Sequence, residues 1–104
     1  MTLDDIAIIE GNTQTDERSY FEALQRAIND GEAWKFQGSY GRTMMAAIES
    51  GHCLLGLSAF SDFYGSHIPS RTEVAPGSKG SREYVARLHG KAWATTFEAI
   101  SASS

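Results

Sequence analysis

Three short clusters that combine serine, glycine and a basic residue supply the groups best suited to binding an anion: Gly38-Ser39-Tyr40-Gly41-Arg42, Pro69-Ser70-Arg71 and Gly77-Ser78-Lys79-Gly80-Ser81-Arg82. Glycine permits close approach to the main chain, exposed N–H groups at a helix start attract negative charge, and arginine offers a two-pronged donor that matches phosphate or carboxylate. The first and third clusters fall where helices are expected to begin. The candidate ligand-binding residues are therefore Ser39, Tyr40, Gly41, Arg42, Ser70, Arg71, Ser78, Lys79, Gly80, Ser81 and Arg82, with Tyr64 added. Tyr40 and Tyr64 have two readings, stacking on a base or packing in the fold. Arg42 opens the second expected helix at the positive end of its dipole, with no acid before Glu49. That conflict, about 0.3–1 kcal/mol, is relieved either by an external anion or by a carboxylate of the protein.

Enzyme templates with strict spacing fail on this chain. No GxGxxG is present, and Pro76-Gly77-Ser78-Lys79-Gly80-Ser81 lacks the GxxxxGK[ST] spacing that places a phosphate-binding lysine at a helix start. His52, His67 and His89 fall in different segments, and no HxxxH or HExxH pair sets two ligands on one helix face, so neither a metal nor another cofactor is expected. Cys53 is the single cysteine, which excludes an internal disulfide, and its apolar run Cys53-Leu54-Leu55 predicts a buried, inert thiol.

The elements that must position these clusters belong to one small domain, since 104 residues with 41% hydrophobic and 21% charged composition are enough for a single core. Helical spacing of Tyr20, Phe21, Leu24, Ala27 and Ile28 predicts a first helix over residues 16–30, capped by Thr15 and stopped by Asn29-Asp30-Gly31. Trp34 and Phe36 read as core aromatics on a connector. A second helix runs from Tyr40 or Gly41 to Glu49, with Ser39 as cap, Met44, Met45 and Ile48 inward and Gly51 beyond its end. Residues 52–68 are irregular, and turn formers dominate from Pro69 to Gly80, where Ser70 and Glu73 have capping-box spacing. Ser81 caps a final helix with Tyr84, Val85, Leu88, Ala92, Trp93, Phe97 and Ile100 inward, bent or broken at Gly90. The expected fold is mainly α: about three principal helices with a long irregular Gly/Ser/Pro-containing loop region, residues 15–100 forming the domain, 1–14 an arm or short helix and 101–104 a loose tail.

The same clusters resemble a family of small uncharacterised proteins of tailed phages and prophages. The shared pattern is an aromatic before Gly38-Ser39-Tyr40-Gly41-Arg42, then Ile48-Glu49-Ser50-Gly51, Tyr64-Gly65-Ser66-His67-Ile68-Pro69-Ser70-Arg71 and Pro76-Gly77-Ser78-Lys79-Gly80-Ser81, spanning about Tyr20 to Val85. The resemblance implies a phage accessory protein and, by analogy with that class, antagonism of host defence.

Charge narrows the partners. The net charge is −4, but residues 1–38 hold three basic and eight acidic groups, and residues 39–104 six basic and five acidic. This is a poor platform for coating nucleic acid, yet recognition of a small anion needs only a few donors. The leading expectation is a non-enzymatic protein that binds a phosphate-bearing, nucleotide-like ligand, such as a host immune signal, through Arg42, Arg71, Lys79 and neighbouring main-chain donors. The alternative is an anti-CRISPR-like inhibitor that presents Asp4, Asp5, Glu10, Asp16, Glu17, Glu22, Asp30 and Glu32 to a basic host defence protein. A hydrolase or transferase using Asp62 and His67 beside the loop is the third reading. No apolar stretch is long enough to span a bilayer and no leader is recognisable, so a cytoplasmic protein without a membrane partner is expected, in the host cytoplasm if phage-encoded. The spread of Tyr84, Val85, Leu88, Trp93 and Phe97 over the last helix predicts a homo-oligomer, by default a dimer.

Overall fold

The computed structural model describes residues 7–9, 16–31, 34, 39–62 and 64–100. Beyond helical residues 7–9, the described elements are α1 (Glu17–Asp30), α2 (Ser39–Glu49), β1 (Phe60–Ser61), β2 (His67–Ile68), α3 (Arg82–His89) and α4 (Lys91–Glu98). The fold is mainly α, and its one described sheet is the antiparallel β1–β2 pair, with Phe60 opposite Ile68. Expectations for most of 1–14, for Thr15, Phe36, Gly38 and the tail, and for Asp4, Asp5, Glu10 and Glu32, lie outside the described residues.

Helix α1 buries the predicted stripe, with Leu24, Ala27 and Ile28 inaccessible and Tyr20 and Phe21 packed at the edge of the core. Its N-cap is Asp16, not the expected Thr15: the Asp16 carboxylate accepts the Ser19 N–H at 2.7 Å, and hydrogen bonding from the Ser19 hydroxyl, then from its N–H, holds the carboxyl below its usual pKa. A charged acceptor suits the positive helix end better than a hydroxyl. Gly31 ends α1 with φ +79° and donates its N–H to the Ala27 carbonyl.

Helix α2 starts at Ser39, so this residue lies within the helix rather than before it, and it buries Met44, Ala47 and Ile48. Its C-terminal turn is capped from a distance. The Glu49 carbonyl accepts from the Tyr84 hydroxyl at 2.7 Å, that of Ser50 from His89 Nε2 at 3.0 Å, and that of His52 from Trp93 Nε1 at 2.8 Å. The last helical carbonyl, that of Glu49, and two carbonyls of the turn beyond it are thus met by side chains of the two last helices.

The predicted final helix is two helices, divided at Gly90, whose φ of +96° and ψ of 158° no helix accommodates. Ser81 caps α3 as expected, accepting the Tyr84 N–H at 3.2 Å. The break re-aims the second half, which buries Ala94 and Phe97 and leaves Ala92, expected inward, exposed; in the first half Val85 is buried and Leu88, also expected inward, is exposed. Of the apolar positions on which association is expected, Val85 and Phe97 enter the core and Trp93 packs against it, while Leu88 stays exposed. The core gathers Leu24, Ile28, Trp34, Met44, Ile48, Leu54, Val85 and Phe97, each such burial contributing about 1.5–3 kcal/mol. Cys53 is buried among them, its Sγ 3.4 Å from the Phe21 carbonyl, and burial pushes its pKa up.

Candidate functional site

Two of the three sequence clusters converge. Arg71, Ser81 and Arg82 line one open cleft of about 310 Å³, together with Thr72, Val74, Pro76, Glu83 and Glu98. Turn-forming residues 71–78 shape one wall, and the start of α3 and the end of α4 form the other.

Arg71 is also a brace. Its Nε donates to the Leu55 carbonyl at 2.8 Å and its Nη2 to Asn29 Oδ1 at 3.2 Å. Asn29 Oδ1 in turn accepts from Gln25 Nε2 at 3.1 Å, and Asn29 Nδ2 donates to the Ile100 carbonyl at 2.9 Å. Gln25, fully buried, reads the Leu54 backbone in both directions, accepting its N–H at 2.8 Å and donating to its carbonyl at 3.1 Å. This buried chain satisfies polar groups that would otherwise be costly and ties α1 to the 54–56 loop and to Ile100. Burial lowers the Arg71 pKa, which nearby Glu98 opposes.

Arg82 lies at the surface of the same cleft. Its Nε is 3.3 Å from Glu98 Oε1, and its Nη2 donates to Thr95 Oγ1 at 3.1 Å. The arginines therefore keep some donors for a ligand, and Glu98 competes for them. The serines are more fully committed. Ser81 Oγ accepts from Gly77 N–H and Tyr84 N–H and donates to the Ser78 carbonyl at 2.7 Å, while Ser78 Oγ donates to the Ala75 carbonyl. Ser70 makes half of the predicted capping box: its N–H donates to Glu73 Oε1 at 3.1 Å, but its Oγ meets Thr72 Oγ1. The Ser70 bond and His67 hold the Glu73 carboxyl below its usual range.

The other candidates lie elsewhere. Lys79 pairs with Glu49 at the C-terminal end of α2, at 3.6 Å. Arg42 is exposed in the first turn of α2, about 10 Å along the helix from Glu49, and pairs with no acid among the described residues. Gly41 borders open space, and Tyr40 packs against the core. Gly80, with φ +89°, is needed where its carbonyl accepts the Leu55 N–H and where a Cβ would run into the Leu55 side chain. Tyr64 sits exposed on the β1–β2 turn, which Asp62 Oδ1 organises by accepting the N–H groups of Tyr64 and Ser66 at 2.9 and 2.8 Å.

A second polar constellation was not anticipated. His52 and His89, which fall in separate segments of the sequence, have ring centroids 3.9 Å apart. His52 stacks on Phe21 at 4.0 Å, meets the Trp93 edge and lies between Ser50 Oγ, 2.6 Å from Nδ1, and Glu17 Oε1, 3.4 Å from Nε2. Burial first, and then His89, depress the His52 pKa, while Glu17 opposes them. The sequence did hold a signal: His52 directly follows Gly51 and His89 directly precedes Gly90, two helix-end glycines, where the negative dipole end favours imidazole donors. Among the described residues no three His, Cys, Asp or Glu side chains form a metal-binding group, and no helix is long and apolar enough to cross a membrane.

Compared with known proteins, the chain matches no family model, no curated protein and no solved structure.

Proposed function

We propose that the chain is a non-enzymatic, phage-type accessory protein that binds a phosphate-bearing ligand in the Arg71–Arg82 cleft, as a sequestering agent for a nucleotide signal of host defence. The observation that supports this reading is the meeting of Arg71 and Arg82, eleven positions apart in sequence, on one cleft beside the first turn of α3. The Tyr84 N–H is taken by the Ser81 cap, but the Arg82 and Glu83 amides of the same first turn lack carbonyl partners and add donors to the guanidinium groups. At about 310 Å³ the cleft is at the small end of ligand sites, so it takes one phosphate-bearing moiety and leaves a larger nucleotide projecting. Arg42, Lys79 and Tyr64 lie outside its lining and drop out of the core site.

Glu83 and Glu98 balance the two arginines, so the ligand has to displace Glu98 from Arg82. An exposed ion pair is worth no more than about 1 kcal/mol, whereas an arginine–phosphate pair is bidentate and stronger. Isothermal titration with inorganic phosphate, mononucleotides, cyclic dinucleotides and ADP-ribose derivatives tests the reading. Binding tighter than about millimolar that is lost in Arg82→Ala supports it. Silence across the panel, or binding that Arg82→Ala leaves intact, overturns it.

A further inference from the structure

We propose that Ser50 is a nucleophile activated by His52 and oriented through Glu17, and that it takes an acyl group from an activated ester onto its Oγ. Ser50 is exposed just past the end of α2, and its hydroxyl lies 2.6 Å from His52 Nδ1. The other ring nitrogen, Nε2, faces the Glu17 carboxylate at 3.4 Å. A carboxylate only accepts, so the 3.4 Å contact with Glu17 favours the tautomer with its proton on Nε2, in which the Nδ1 lone pair is open to the Ser50 proton.

The ring cannot easily turn away. Phe21 stacks on one side with planes 5° apart, and His89 lies against it at 3.9 Å. Trp93 meets its edge and also holds the His52 carbonyl at 2.8 Å. Nucleophile, base and orienting acid thus come from the end of α2, the residue after Gly51 and the first residue of α1. This relation of roles recurs on unrelated folds and is recognised by geometry rather than by chain order.

In the step, Ser50 Oγ attacks the ester carbonyl carbon while its proton passes to His52 Nδ1. The bond from that carbon to the leaving oxygen breaks, the leaving group departs with its electron pair, and the imidazolium returns its proton to the leaving oxygen or to water. Glu17 stabilises the transient imidazolium.

The neighbouring main chain selects the donor. The N–H groups of Ser50, Gly51, His52 and Cys53 donate to the carbonyls of Ala46, Ile48, Ala47 and Ala47, at 2.9 to 3.2 Å. None of these amides is left to stabilise a developing oxyanion. Acylation consequently needs an ester with a good leaving group, and the resulting serine ester accumulates instead of turning over. The Ser50 hydroxyl also donates to the Ala47 carbonyl at 3.0 Å, so its one proton has to turn from Ala47 to Nδ1 before attack. When His52 carries both protons, Nδ1–H donates to Oγ, the hydroxyl turns to Ala47, and the nucleophile is switched off.

The test treats the full chain with equimolar p-nitrophenyl acetate, follows nitrophenolate release and locates the acetyl group by peptide mass spectrometry. The expected result is a single acetyl on Ser50, absent in Ser50→Ala. Its formation slows by roughly 100-fold in His52→Gln, the scale of general-base assistance. Glu17→Gln, which leaves the ring and its stacking in place, slows it several-fold. The rate rises with pH and levels off by about pH 7, as His52 becomes neutral. Acetyl found only on lysines or the α-amine, acetyl on His52 itself, or a Ser50 adduct whose rate is unchanged in both His52→Gln and Glu17→Gln overturns the proposal.

Discussion

The arginine cleft and the histidine junction are both built where loops meet helix ends, but they treat charge in opposite ways. In the cleft, Arg71 and Arg82 stand against Glu83 and Glu98, so opposite charges are already matched before any ligand arrives. In the junction, two titratable rings are pressed together, with Glu17 the carboxylate in contact with His52. What a polar site responds to depends on what the protein has already done with its charges. The cleft should answer to competing anions and to salt, and the junction to protons.

The largest expected effect separates the two arginines within the cleft. Replacing Arg71 by Met removes its hydrogen bonds to the Leu55 carbonyl and Asn29, and leaves part-buried acceptors short of a donor. Unfolding free energy from urea titration should drop by about 2–3 kcal/mol, the scale for bonds to charged groups. Arg82→Ala, which loses only contacts at the surface, should cost less than about 1 kcal/mol. Equal losses would mean that the buried brace is no more important than the exposed pair.

The next effect belongs to the junction. The His52 pKa lies below its ordinary 6.5 in the folded protein, so folding favours the neutral ring. Its stabilising contribution is complete above about pH 6.5 and is lost as pH falls through the folded value. Urea midpoints should decline between pH 7 and pH 5, and His52→Gln should flatten that part of the curve. Because His89 contributes to the shift, His89→Gln should move the decline to lower stability loss per unit pH; an unaltered slope in both variants would separate the rings from the acid response.

Much of the fold was legible in the residues, for physical reasons that also explain what was not. The apolar stripe of α1, the glycine stop at Gly31 and the Ser81 cap are local, and each lies within a few residues of what it controls. Gly90 marks the break in the last helix, but not the direction of the second half, which depends on what Phe97 and Ala94 pack against; this is why Ala92 falls on the exposed side, while Leu88, in the half before the break, is exposed although Val85 three residues earlier is buried. Within the candidate site, Arg71 and Arg82 were singled out by residue type, while the acceptors that claim them, Asn29, Leu55 and Glu98, sit 16 or more positions away. The pairing of His52 with His89 is a contact across 37 positions and has no local pattern beyond the glycines beside each ring.

The smallest expected effect returns to the cleft and concerns Glu98. Its carboxylate holds Arg82 at 3.3 Å and also favours the charged form of Arg71, so it occupies the place of an external anion. Both partners are partly exposed, with side chains 37% and 47% accessible, which keeps the pair near the weak end of ion-pair energies. Glu98→Gln should therefore change stability by no more than about 0.5 kcal/mol while tightening phosphate binding by roughly 2- to 5-fold, since a competitor worth up to about 1 kcal/mol is removed. Titration of phosphate into this variant at two salt concentrations checks the point. The gain should shrink at higher salt because the competition it relieves is electrostatic. If Glu98→Gln leaves the affinity unchanged at both concentrations, the anion does not sit between Arg71 and Arg82, and the exposed Arg42 at the start of α2 becomes the place to look.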